Sequence, residues 1–185
     1  MELRDRRANR QGVADQVRTL IRRAHELVEG VTAADFNRRP AGGGWSAAQC
    51  LEHLNQTARL YLPAITEAIE QARRKGVRGV AGEGRTLRGR FVAWSQEPPV
   101  RLRTRTWPAL EPPAHSLDPA DVLADFEALH EELIVRINES GTLDRKAVRV
   151  PSMLNPRVTL SLGDWFHVLA AHGRRHIWQA GRALE

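Results

Sequence analysis

The stretch Trp165–Gln179, WFHVLAAHGRRHIWQ, constrains the fold most. His172 and His176 are four residues apart, which on a helix places them about 40° apart on one face. With His172 as the zero of a helical wheel, Trp165, Val168, Leu169, Gln179 and Ala183 fall within roughly 60° of it. Both histidines therefore lie on an apolar, core-facing stripe. A buried polar group needs a partner. That partner is either a backbone carbonyl or neighbouring side chain, or a metal ion gripped by two imidazoles at i and i+4. His167 lies about 140° away on the wheel and is expected to face solvent. Phe166, Ala170, Ile177 and Leu184 form a second apolar strip beside the histidine face. A helix apolar on most sides is central or lies against another subunit, so a homodimer is expected.

Three further stretches carry helical periodicity. Val13, Val17, Leu20, Ile21, Ala24, Leu27 and Val28 predict a first helix over about 8–29, stopped by Gly30, with His25 at the edge of its stripe. A second helix is predicted from Ala47 to about Lys75, opened by a Ser46/Gln49 capping box, with Pro63 inside it. On its wheel Cys50, His53, Leu54, Thr57, Leu60, Ala64 and Ala68 share one side, so His53 is a third core-facing histidine. Asp118-Pro119 opens a third helix, with aspartate as N-cap and proline at the first helical position. Val122, Leu123, Phe126, Leu133, Ile134 and Ile137 form its stripe. His130 lies within it and reads as a satisfied core residue before it reads as a ligand. The fourth helix is predicted from Ser161, with Asp164 completing its cap, to about Leu184.

These elements predict an all-α fold: one domain over 1–185, a four-helix bundle with long crossover connections between helices 2–3 and 3–4. Residues 76–117 are glycine- and proline-punctuated, and a connection of that length is expected to cross the fold or cover a site. Within it Val100–Trp107 alternates with period two, which predicts a short strand carrying Arg101, Arg103 and Arg105 on one face. These arginines are either a solvated edge or an anion-attracting rim.

Composition excludes several classes. One cysteine, Cys50, rules out an internal disulfide and a cysteine-rich zinc site. No apolar run reaches the length of a membrane span, and the charged N-terminus lacks the apolar core of a signal peptide, so a cytoplasmic protein is expected. The net charge of +6 is spread along the chain without a recognition motif or an aromatic platform, which argues against nucleic acid.

In a helical bundle, metal ligands come from facing helices. His53 with His172 and His176 would supply three nitrogens, and three histidines leave a coordination position open, the pattern of a catalytic site. Gln179, one turn beyond His176, is placed to orient a bound water or substrate, or to bond a ligand histidine.

The segments RPAGGGWSAAQCLEHL, with Trp45, Ser46 and His53-Leu54, and HGRRHIWQA near the end resemble the DinB-like family of metal-binding four-helix bundles. The resemblance spans the chain by helix order. It implies that His53, His172 and His176 hold one divalent metal, zinc or nickel. It also implies a thiol-dependent S-transferase, in which a low-molecular-weight thiol attacks an electrophile. The alternatives are a metal-dependent hydrolase using water and a non-catalytic metal-binding stress protein.

Overall fold

The computed structural model describes residues 12–79, 82–99, 106–155 and 157–185. The described residues form six α-helices and one two-stranded sheet. Four helices are long: α1 (Val13–Val28), α3 (Ala47–Arg74), α5 (Pro119–Glu139) and α6 (Leu162–Leu184). Two are short: α2 (Ala33–Asn37) and α4 (Leu87–Gln96). Strands β1 (Arg149–Pro151) and β2 (Thr159–Ser161) pair antiparallel, with Val150 opposite Leu160. The architecture is mostly helical, as the periodicity predicts. α3 and α1 each pack against both α5 and α6, and α4 lies along α6.

The helix starts follow the capping chemistry. Ser46 and Gln49 exchange side-chain-to-backbone bonds at the head of α3, both at 3.2 Å. Asp118 accepts from the Ala120 and Asp121 amides at the head of α5, and Pro119 needs no partner there. Ser161 and Asp164 form the capping box of α6. α3 runs through Pro63 to Arg74. The core takes Val17, Leu20, Phe126 and Phe166 from the predicted stripes, all essentially inaccessible; in α3 the buried face is rotated from the predicted one, with Leu51 and Ile65 inaccessible and Leu60, Ala64 and Ala68 only half-buried. Full burial of such side chains stabilises by about 1.5–3 kcal/mol each.

One expectation is corrected, that for His167, and three are given detail. The connection 76–117 contains α4 and a 3₁₀ turn over Pro108–Leu110. The connection between α5 and α6 carries the β-hairpin, pinned where the Trp165 indole Nε1–H donates to the Val150 carbonyl at 2.9 Å. His167 does not face solvent. It is 5 % exposed, with Nε2 3.6 Å from a Glu83 carboxylate oxygen, because the segment before α4 covers that side of α6. The second apolar strip of α6 is covered within the chain: Phe166 and Ala170 are fully buried and Ile177 nearly so. That strip gives no reason for a second copy.

Residues 100–105, with Arg101, Arg103 and Arg105, lie outside the described residues, as do residues 8–11 of the predicted first helix. Among the described residues, no helix is long and apolar enough to cross a membrane.

α4 is fixed to α6 at both ends. At its head, Thr86 caps the helix and gives its amide and hydroxyl hydrogens to the two Asp164 carboxylate oxygens, each at 2.7 Å. Ser161 Oγ donates to the Gly84 carbonyl at 2.7 Å. The fit needs glycine: a Cβ on Gly163 would stand 1.9 Å from the Glu83 carbonyl oxygen, and one on Gly89 would stand 1.9 Å from an Asp164 carboxylate oxygen. At its tail, Glu97 receives a forked pair from Arg174 at 2.9 and 2.5 Å, and Arg174 also donates to Gln16 on α1 at 3.0 Å.

Candidate metal centre

Three histidines meet where α3 and α6 face each other. His53 lies two turns into α3, on the face held inward by Leu51, Leu54 and Ala58. His172 and His176 lie on the inward face of α6. One ligand atom from each can be chosen so that all three lie within 4.8 Å of one another. His53 and His176 are buried, and His172 is half-buried at the edge of a cavity of about 1070 Å³.

The hydrogen bonds around two of these rings decide which nitrogen is bare. His53 Nδ1 lies 2.8 Å from the Leu110 carbonyl oxygen. A carbonyl only accepts, so Nδ1 carries the hydrogen and Nε2 keeps its lone pair. His172 Nδ1 lies 3.2 Å from Gln96 Oε1; with the Gln96 NH₂ turned towards Ser95 Oγ, that oxygen is the acceptor, and His172 Nε2 is bare as well. The two bare Nε2 atoms stand 3.0 Å apart. Facing lone pairs at that distance repel unless a cation lies between them. Two imidazole nitrogens bound to one tetrahedral zinc ion would be ~3.3 Å apart, from zinc–nitrogen distances of about 2.0–2.1 Å.

A proton is poorly suited to be that cation. Burial lowers the pKa of His53 despite the Leu110 carbonyl, with the Arg175 guanidinium adding to the effect. Burial, then the His53 ring and Arg175, pushes His172 down to about 3. His176 is driven well below its usual range, by burial first and then by its two neighbours and Arg175. The rings are therefore neutral at pH 7, the state in which imidazole ligates metal. His176 Nδ1 is buried without a protein partner, another polar atom whose demand the fold leaves open. The donor set and the geometry fit a divalent ion held by His53, His172 and His176.

The surroundings differ in part from the sequence reading. Trp45 packs on the site: its ring centroid is 4.8 Å from that of His53 and 5.6 Å from that of His176. The loop before it turns through Gly43 and Gly44, both at positive φ. Cys50 lines the cavity one turn before His53, 1 % exposed, and burial pushes its thiol up to about 12. Gln179 also lines the cavity, and its Oε1 is buried without a partner. His130 is the satisfied core residue expected, its Nδ1 2.8 Å from the Phe126 carbonyl. His25 is half exposed and pairs with Glu127 at 3.1 Å.

The sequence reading missed Gln96, Leu110 and Arg175. Arg175 is one residue before His176 and was legible from the wheel; a charged residue on a core face is the signal. Gln96 and Leu110 left no such signal, because both lie in the connection and act through position.

A mostly helical protein with three converging histidines between two of its helices defines the class: a helical protein able to hold a metal ion in its core. Residues 16–180 match the model of the DinB superfamily, and the chain belongs to that family. No curated protein and no solved structure matches it.

Proposed function

We propose that this chain is a metal-dependent enzyme that joins a low-molecular-weight thiol to an electrophile. The metal dependence is carried by the approach of the two bare nitrogens of His53 and His172 to 3.0 Å. A divalent ion at the three histidines would supply a Lewis acid that acidifies a bound thiol or water.

The chain's own residues favour the thiol. Among the described residues that line the cavity, none is an aspartate or glutamate, and none is a histidine outside the three. Water on a divalent ion would have to be brought from about 15.7 to about 7, with no carboxylate or further histidine among these residues to relay its proton. A thiol begins near about 8.5 and needs far less help. Cys50 is not the nucleophile, because its burial keeps it protonated. The sulfur therefore arrives with the small molecule.

The lining also fits the charge of such a molecule. Arg175 and Arg182 are the charged side chains among the described residues of the cavity. A cationic lining attracts an anionic ligand. Arg101, Arg103 and Arg105 fall in the sequence between Pro99 and Thr106, which both line the cavity, and we assign them to a rim that reads carboxylates. Arginine suits this role because its planar fork pairs with carboxylate through two hydrogen bonds. We assign Gln179 Oε1 to accept a hydrogen bond from the bound ligand.

The test begins with protein purified without chelator or nickel affinity. Metal analysis should find a divalent ion in stoichiometric amount, and a screen of anionic thiols against a bimane-type electrophile should show metal-dependent conjugation. His172→Ala and His176→Ala should lose the ion while staying folded. Full metal content in both variants would refute the site. Turnover of an ester at equal rates with and without thiol would make water the nucleophile.

A further inference from the structure

Both hydrogen-bond acceptors that leave the bare nitrogens of His53 and His172 facing each other come from the same connection, residues 76–117. Leu110 supplies its backbone carbonyl to His53 Nδ1. Gln96, the last residue of α4, supplies its side-chain oxygen to His172 Nδ1. The helices hold the rings, and the connection selects which nitrogen of each is bare.

The direction of the Gln96 amide follows from its neighbours. Ser95 Oγ donates its hydrogen to the Val92 carbonyl at 2.7 Å. Having spent its hydrogen, that hydroxyl can only accept from the Gln96 amide, which lies 3.5 Å away. The Gln96 oxygen is then left for His172. This chain of bonds ends at the His172 Nδ1–H. α4 is held in place by Asp164 at its head and by the Arg174–Glu97 pair at its tail. Gln96 thus occupies a rigidly docked helix end rather than a free loop.

We propose that Gln96 is a positioning residue for the metal centre: it fixes His172 as the tautomer with hydrogen on Nδ1, and so couples the docking of the connection to the affinity for a divalent ion. The inference rests on the metal reading of the three histidines. Outer acceptors of this kind orient ligand imidazoles, and their loss typically costs 10–100-fold in metal affinity. Coupling of this kind is reciprocal: whatever docks α4 more firmly tightens the ion, and the ion in turn docks α4.

The experiment compares wild type with Gln96→Met, which keeps size but offers no strong acceptor, and Gln96→Glu, which keeps the acceptor. The first readout needs no metal. Nitrogen-detected NMR of histidine-labelled, metal-free protein should show His172 as a single Nδ1–H tautomer in wild type and in Q96E, and as a mixture or the opposite tautomer in Q96M. The second readout is Zn²⁺ affinity by competition with a chromophoric chelator. Q96M should bind about 10–100-fold more weakly, and Q96E should stay within about threefold of wild type. The thermal midpoint of the metal-free proteins controls for folding, and the three should agree within about 2 °C, since a half-buried helix-end residue is exchanged for one of equal size. Equal Zn²⁺ affinity in wild type and Q96M, or an equal loss in Q96M and Q96E, overturns the proposal. Wild-type protein that binds no Zn²⁺ is a different result: it sinks the metal reading, while the NMR comparison still decides whether Gln96 sets the tautomer.

Discussion

Asp164 offers the sharpest test of how the connection is held. Its carboxylate is 1 % exposed and accepts three hydrogen bonds: from the Thr86 amide and hydroxyl at 2.7 Å each, and from the Ser161 amide at 3.3 Å. Asp164→Ala removes all three and leaves two backbone N–H groups and a hydroxyl facing a cavity. Hydrogen bonds to a charged group contribute about 1.5–3 kcal/mol each. The two short bonds alone set a loss of about 4 kcal/mol, and the longer one falls within the error of that figure. For a protein of this size 1 kcal/mol corresponds to about 2–4 °C in Tm, so the midpoint should fall by roughly 8–16 °C. Asp164→Asn keeps one carbonyl oxygen for the Thr86 amide, and its NH₂ can donate to the Thr86 hydroxyl. It should lose only about 1–2 kcal/mol. Urea denaturation followed by circular dichroism measures both, with m unchanged if the compactness of the end states is unchanged. A loss below about 1 kcal/mol for the alanine variant would mean that water replaces the bonds and that α4 is not held by this carboxylate.

Three further outcomes are expected. Gly163→Ala and Gly89→Ala each drive a methyl into atoms 1.9 Å away and should cost more than about 2 kcal/mol, whereas Gly42→Ala, with nothing within 4 Å, should be near neutral; similar midpoints for all three would contradict the close docking. Burial lowers His130 and His167 to about 4, against about 6.5 in the unfolded chain, so the unfolded state takes up protons that the native state refuses. Stability from each should be complete above pH 6.5 and fall by about 1.4 kcal/mol per pH unit down towards pH 4; His130→Phe should remove its share of that slope, and an unchanged slope between pH 6 and 5 would refute this. Replacing Arg101, Arg103 and Arg105 together with glutamine should raise KM for an anionic thiol and weaken its salt dependence, with metal content unmoved; an unchanged KM removes them from the rim.

The long helices were legible because each carries an apolar stripe, and three of the four also carry a strong start signal: Ser46 with Gln49, Asp118 with Pro119, Ser161 with Asp164; α1 begins at Val13 after Gly12 with no side-chain cap. The three histidines were legible for the same reason, since the wheel reports which side of a helix faces inward. His167 shows the limit of that method. The wheel places it opposite the core stripe, but it cannot see that Glu83 and its neighbours lie over that side. α4 was hidden because LRGRFVAWSQ leaves Leu87, Phe91 and Trp94 largely exposed and buries Gly89, Ala93 and Ser95 instead. Small residues at a tight helix contact give no hydrophobic period. The hairpin strands, three residues each, are too short for alternation to register.

The two outer acceptors also bear on how such a protein can change over generations. The ligating rings sit on two of the long helices, where altering one residue disturbs many neighbours, while the atoms that orient them ride on the connection between α3 and α5. A descendant could exchange that segment wholesale, and with it the mouth of the cavity, without repacking the interior. It could do so only if the new segment again delivered one carbonyl oxygen to His53 and one acceptor to His172, and again met the Asp164 carboxylate and Arg174 on α6. The segment is an interchangeable part with fixed terminals, two of them at the ligand rings.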